Sequence, residues 1–155
     1  MATDGVIGER VTLQDMQVVG VRRTFTHATR GDIPTMWDEV LPELFALTDQ
    51  ACETFGICVE STTEGAFDYL VCIPASSINT KSAHGLEVLD VPSATYARFT
   101  HYGPVSELPT FIQWAWSSGV AAHGWEILHA GFGLEHYPTD WSPERGPTHI
   151  LIPLR

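Results

Sequence analysis

Basic side chains are scarce in this chain. Lys81 is its only lysine, and Lys and Arg together number 8 against 19 Asp and Glu, for a formal charge of −11. A duplex nucleic acid demands a positive footprint, which so few bases cannot build, so a direct nucleic-acid partner is excluded. Anionic membrane surfaces are disfavoured for the same reason, whereas a cationic ligand or a basic protein surface is attracted. Long apolar runs are missing as well. Tyr69 to Ala75 and Ile150 to Leu154 fall far short of the roughly 20 residues that span a bilayer. The opening MATDGVIGER has acids and no apolar core, so no secretory signal is expected. The three cysteines, Cys52, Cys58 and Cys72, are odd in number and form no Cys-x-x-Cys pair. That fits buried thiols in a reducing cytoplasm better than a disulfide framework. The seven histidines form no His-Glu-x-x-His helix or Cys/His cluster, so no metal and no cofactor is expected. Hydrolase elbows, phosphate loops and dinucleotide fingerprints are also absent.

What is present is a repeat. Phe25-Thr26-His27 followed by Asp32-Ile33-Pro34-Thr35-Met36 matches Phe99-Thr100-His101 followed by Glu107-Leu108-Pro109-Thr110-Phe111. Phe55-Gly56 is echoed by Phe132-Gly133, and Ile73-Pro74 by Ile152-Pro153, with all four marks offset by 74 to 79 residues. A chain of 155 residues, 44% hydrophobic, is then a single domain spanning 1–155, built of repeats at about 13–80 and 86–155.

Each half reads as β-α-β-β. Gln17 to Phe25 is rich in strand formers. Asp32 suits an N-cap and Pro34 the first helical turn. From Ile33, apolar residues fall at helical spacing to Leu47, with Pro42 expected to kink or break the helix. Strands follow at Gly56–Ser61 and Phe67–Pro74, joined by the turn Thr62-Thr63-Glu64-Gly65. In the second half Leu86–Val91 reads as a short extra strand and Thr95–Tyr102 as a strand. Glu107 opens a helix ending near Gly119 or Gly124, Glu126–Tyr137 is a strand, and Thr148–Leu154 closes the sheet. The expected fold is α+β, an antiparallel sheet of two pseudo-twofold-related units with two main helices and a ligand cleft between them.

The residues that carry a wider likeness run through the whole chain. They are Gln17-Val18-Val19-Gly20, Pro34-Thr35-Met36-Trp37, the stretch from Tyr96 to Pro104, Glu135-His136-Tyr137 with Asp140-Trp141-Ser142-Pro143, and Ile150 to Leu154. On these marks the chain resembles the GyrI-like small-molecule-binding family, also met as the effector-binding domain of MerR-type and AraC-type transcription regulators. The resemblance implies the duplicated β-α-β-β fold and a pocket between repeats for amphipathic, often cationic, aromatic molecules. Some members are drug sensors, some sequester toxins or protect gyrase, and some hydrolyse cyclopropane-bearing natural products. The short stretch before the first strand holds no helix-turn-helix, so a free-standing member is expected.

Strand alternation sorts the candidate site residues. Leu128, Ala130, Phe132 and Leu134 share one face, the expected helix-packing face. His129, Gly131, Gly133, Glu135 and Tyr137 share the other, where an acid and a phenol sit two residues apart beside space-leaving glycines. Glu135 on a partly dry face needs a partner, a protein group or a ligand cation; the alternative is an edge-strand carboxylate in water or paired with Arg98. His149 stands where many family members have a glutamate linked to cation binding and hydrolysis, so a titratable group replaces a fixed charge. Aromatic walls suit flat cations. Trp37, Tyr69 and Tyr102 are candidates for that role. Trp114 and Trp116 cannot both share the face of Phe111 and Ala115, so one of them should point away from the main core, and both are candidates to line the cleft. Asp68 is a weaker acidic candidate, and His27 and His101, equivalent in the repeat, read as structural. His84, His123 and His136 read as solvated. The functional expectation is binding of cationic or neutral aromatic small molecules. Its alternatives are a hydrolase using Glu135, Tyr137 or His149, and an acidic protein acting on a basic protein surface.

Overall fold

The structure, a computed structural model, describes residues 8–48, 51–61, 63–78, 85–129 and 131–155. Lys81, His84, Ala130 and the first seven residues lie outside the described residues. The strands are β1 Glu9–Leu13, β2 Met16–Thr26, β3 Thr54–Glu60, β4 Ala66–Pro74, β5 Glu87–Val91, β6 Ala94–His101, β7 Gly133–Tyr137 and β8 Thr148–Pro153. Helix α1 is Ile33–Phe45. Helix α2, Leu108–Trp114, runs on through a π-helical stretch, Ala115–Gly119, and a last turn, Val120–Ala122.

All eight strands join one antiparallel sheet in the order β1-β6-β8-β7-β3-β4-β2-β5. This is the α+β fold read from the repeat: β2-α1-β3-β4 and β6-α2-β7-β8 abut at β3 and β7. There Gly56 pairs with Glu135, Ile57 with Leu134 and Cys58 with Gly133. An antiparallel pair has a local twofold, so the axis passes between Ile57 and Leu134 and carries residue 56 onto 133 and residue 58 onto 135. Strand β1 was not expected. Its five residues include the exposed Glu9, Arg10 and Thr12, too polar to register as a strand. It pairs with β6, while β2, only two residues further on, lies near the other edge beside β5. The β5–β6 connection is equally short. Both linkers are possible only if the sheet curls until its two edges approach each other.

Both helices lie on one face of this curled sheet. From α1, Met36, Val40 and Leu44 pack on Val19, Val71 and Ile73. From α2, Leu108 and Phe111 pack with Phe99, Ile150 and Ile152. The reverse face fills its own curl with Val18, Phe55, Ile57, Leu70, Leu134 and Leu151. Leu134 therefore packs inside the curl and not on a helix, which corrects the sequence expectation and puts Glu135 on the helix face. Helix α1 continues through Pro42. The proline sits in the last turns on an exposed surface, where losing one amide donor is tolerated. The expected strand from Glu126 shrinks to Gly133–Tyr137, with Ile127 held only as an isolated bridge to Leu154. Upstream, Gly131 turns back to Leu128 at 2.9 Å and lies so close to Pro153 that a Cβ would come within 2.6 Å.

A polar cluster interrupts the reverse face. His136 and His149 are cross-strand partners, with ring centroids 5.4 Å apart. His136 stacks on Phe55 at 4.8 Å and its Nε2, buried, lies 3.7 Å from Glu53 Oε2. His149 Nδ1 is 2.8 Å from Thr100 Oγ1. Burial pushes both histidines below their usual 6.5. The positive charge of Arg98 adds to this for both, and for His149 so does His136, against the opposing pull of Glu53 on His136 and Glu9 on His149. The unfolded chain therefore takes up these protons first, so stability is complete above 6.5 and declines as pH falls through it. Urea denaturation across this range should show the wild type losing stability on acidification relative to a His136→Gln/His149→Gln variant, whose profile lacks this decline.

Candidate functional site

Apart from Trp37, which also meets Tyr137 of β7, each helix packs on the strands of its own repeat, so much of the helix face of the central pair β3 and β7 is left open. A cavity of about 1580 Å³ fills this gap, larger than the roughly 300–1,000 Å³ of most small-molecule sites. Its walls are Trp37 and Leu41 from α1, Ile112 from α2 and Trp116 from the π-helical stretch that continues it. These are repeat-equivalent pairs, so the two helices offer the same face to the gap. The floor is made by Cys58 of β3, Tyr69 of β4 and Glu135 and Tyr137 of β7.

Glu135 is the centre of the floor. Tyr69 Oη donates to its Oε1 at 2.7 Å, and Tyr137 Oη donates to the same oxygen at 2.8 Å. Trp37 Nε1 donates to Tyr69 Oη at 3.0 Å. An indole N–H can only donate, so the phenol oxygen accepts and its proton is committed to the carboxylate. Both donors use Oε1, and among the described residues no hydrogen bond reaches Oε2. Burial raises the Glu135 carboxyl above its usual 4.5, against the lowering effect of the two phenols. Burial, reinforced by the Glu135 charge, holds both phenols well above 10, so they serve as neutral donors.

Two glycines make room for this arrangement. A Cβ on Gly56 would overlap the Tyr69 hydroxyl and come within 2.9 Å of Glu135 Oε1. A Cβ on Gly133 would lie 2.9 Å from Trp116 Cζ2. Trp37 and Trp141 meet Tyr137 edge-on, with centroids 5.0 and 5.2 Å away. The carboxylate is thus ringed by four aromatic side chains.

The structure brings together Glu135, Tyr137, Trp37, Tyr69 and Trp116 of the sequence candidates. Three others lie elsewhere. His149 is on the reverse face, because alternation along β8 sends Ile150 and Ile152 towards α2 and His149 the other way. It cannot form an acid/base pair with Glu135. Trp114 packs into the core against Phe99 and Phe111, at 5.5 and 5.7 Å. Tyr102 lies just past the end of β6 and is 75% exposed. Asp68 is held by Arg22 at 2.8 Å and by Thr24 at 2.7 Å, and Arg98 pairs with Glu9, not Glu135. His101 is buried against Phe111, while its repeat partner His27 is exposed. Cys58, Leu41 and Ile112 were missed. The offset between Phe55-Gly56 and Phe132-Gly133 was the available signal for Cys58, since it places that residue on Glu135.

Solved structures share this fold. SAV2435 bound to tetraphenylphosphonium matches with a TM-score of 0.77 and 16% identity, over 96% of this chain and 93% of that one. EcmrR in its DNA complex gives 0.63 and 15% identity, over 97% of this chain and 57% of that one. A hydrolase encoded by lin2189 from Listeria innocua gives 0.56 and 12% identity, over 96% and 92%. At such identities the likeness is one of fold. Among curated proteins, no relative matches in sequence. The model of the GyrI-like small molecule binding domain matches residues 9–155, and the chain belongs to the GyrI-like family.

Proposed function

We propose that this protein binds bulky, amphipathic aromatic cations in the cleft between its repeats, as a multidrug- or toxin-binding domain. The observation that carries this reading is the half-buried Glu135 carboxylate at the base of the cleft, with both phenols on Oε1 and, among the described residues, no protein donor on Oε2. A partly desolvated carboxylate lacking a full set of partners gains from a cation brought to it. The aromatic ring around it adds roughly 0.5 to 2 kcal/mol per cation–π contact. The ligand carried by SAV2435 supports the same chemistry. Three free thiols support a cytoplasmic location. Among the described residues, no helix is long and apolar enough to cross a membrane.

Glu135→Gln keeps the shape and removes the charge. It should weaken tetraphenylphosphonium at least tenfold, or about 1.4 kcal/mol, as read by quenching of tryptophan fluorescence. The melting temperature should stay the same or rise, because a raised carboxyl is a charge that folding pays to bury. Unchanged affinity removes Glu135 from the site.

Binding should also depend on pH. The cation favours ionised Glu135, whose carboxyl in the free protein lies above 4.5. Affinity should therefore hold at neutral pH and fall as pH drops through that raised value, with proton release on binding seen by calorimetry in two buffers. The Gln variant should show a flat profile.

One observation favours a second reading. A raised carboxylate with an available Oε2, beside the Tyr137 hydroxyl, is suited to take a proton from water attacking a strained electrophilic ring. Mass spectrometry with excess cyclopropane-bearing substrate separates the two. Pure binding gives no hydrolysed product, whereas an enzyme gives multiple turnovers that Glu135→Gln abolishes.

A further inference from the structure

We propose that Cys58 sets the charge selectivity of the cleft, so that the floor accepts ligands with one positive charge and rejects compact dications. This rests on reading the cleft as a cation site and adds which cations it admits. The twofold between Ile57 and Leu134 carries Cys58 onto Glu135, so the thiol stands where a symmetric floor would hold a second acid. Both side chains line the same cavity. They are diagonal neighbours on paired strands, roughly 7–8 Å apart, a separation a rigid biaryl spans.

The frame around them is matched between repeats, with Trp37 opposite Ile112 and Leu41 opposite Trp116, but the charge is not. Burial, together with the Glu135 charge, pushes the Cys58 thiol up, so it stays neutral and offers only a weak, polarizable acceptor. Among the described residues, the only other acid lining the cavity is Asp38. It is exposed at the mouth, where Arg30 brings the opposite charge, and solvent screens both. Glu135 is thus the single uncompensated charge on the floor. A monocation sits with its charge over Glu135 and its neutral half against Cys58 and Trp116. A second positive charge in the same frame would lose its water and meet a neutral thiol.

The test uses two probes of one shape, 1-methyl-4-(4-methylphenyl)pyridinium and 1,1′-dimethyl-4,4′-bipyridinium, which differ by a single charge. Calorimetry on the wild-type protein should show the monocation binding at least tenfold more tightly. Cys58→Asp should raise dication affinity at least tenfold over Cys58→Ser, which keeps the wild-type order. Equal binding of the two probes by the wild type, or no gain in a folded Cys58→Asp protein, overturns the assignment while the cation site itself survives. If neither tetraphenylphosphonium nor the monocation binds, the reading of the cleft falls with it. The wild-type comparison needs no variant, so equal binding there overturns the assignment even where Cys58→Asp does not fold.

Discussion

A carboxylate half-buried in the seam between two repeats is the constraint around which the site is arranged. Burying such a charge costs several kcal/mol unless donors or a counter-charge replace its water. Here the replacement is deliberate and incomplete. Two phenol protons converge on Oε1, one of them aligned by the Trp37 indole. These four groups come from three elements: Tyr69 from β4, Trp37 from α1, Tyr137 and Glu135 from β7. The site therefore exists only when both repeats are folded against each other. Gly56 and Gly133 belong to the same constraint, since any larger side chain would occupy the space that the Tyr69 hydroxyl or the Trp116 ring now takes.

Duplication explains why there is a hollow to build in. One helix can cover the two or three strands of its own unit, and when two units join edge to edge the central pair is left beneath neither. The wall residues keep the repeat, but the floor departs from it. Glu135 answers to Cys58. Tyr69, four residues before Ile73, answers to Thr148, four before Ile152. Both accept an indole proton, Tyr69 from Trp37 at 3.0 Å and Thr148 from Trp141 at 2.9 Å. Only the tyrosine is long enough to pass that polarity on to the carboxylate. The frame is symmetric and the chemistry is one-sided.

The fold was legible because the repeat and the apolar periodicities of α1, β2, β4 and β8 are strong. What was not legible depends on register and local winding. Glu135 and Tyr137 could be placed together by alternation alone. His149 could not be placed relative to them, because alternation within β8 says nothing of which face β8 shares with β7 until the pairing of Glu135 with Ile150 is known. Trp114 and Trp116 posed a similar choice. The π-helical stretch from Ala115 changes the angle per residue just where the two diverge, sending Trp116 to the cleft and Trp114 to the core. Strand β1 escaped notice because an edge strand carries exposed charge by necessity.

The acidity of the chain and the acidity of the site are separate matters. A formal charge of −11 attracts cations from a distance, but salt screens it beyond about 8 Å at physiological ionic strength, and it treats every cation alike. Selection needs a place where water has been removed, since Coulomb interactions strengthen as the local dielectric falls. Among the described residues that line the cavity, two acids are present, the exposed Asp38 and the half-buried Glu135. On the proposed reading, the surface field speeds encounter and the half-buried Glu135 discriminates. Added salt should therefore slow capture more than it weakens a ligand already seated between the repeats.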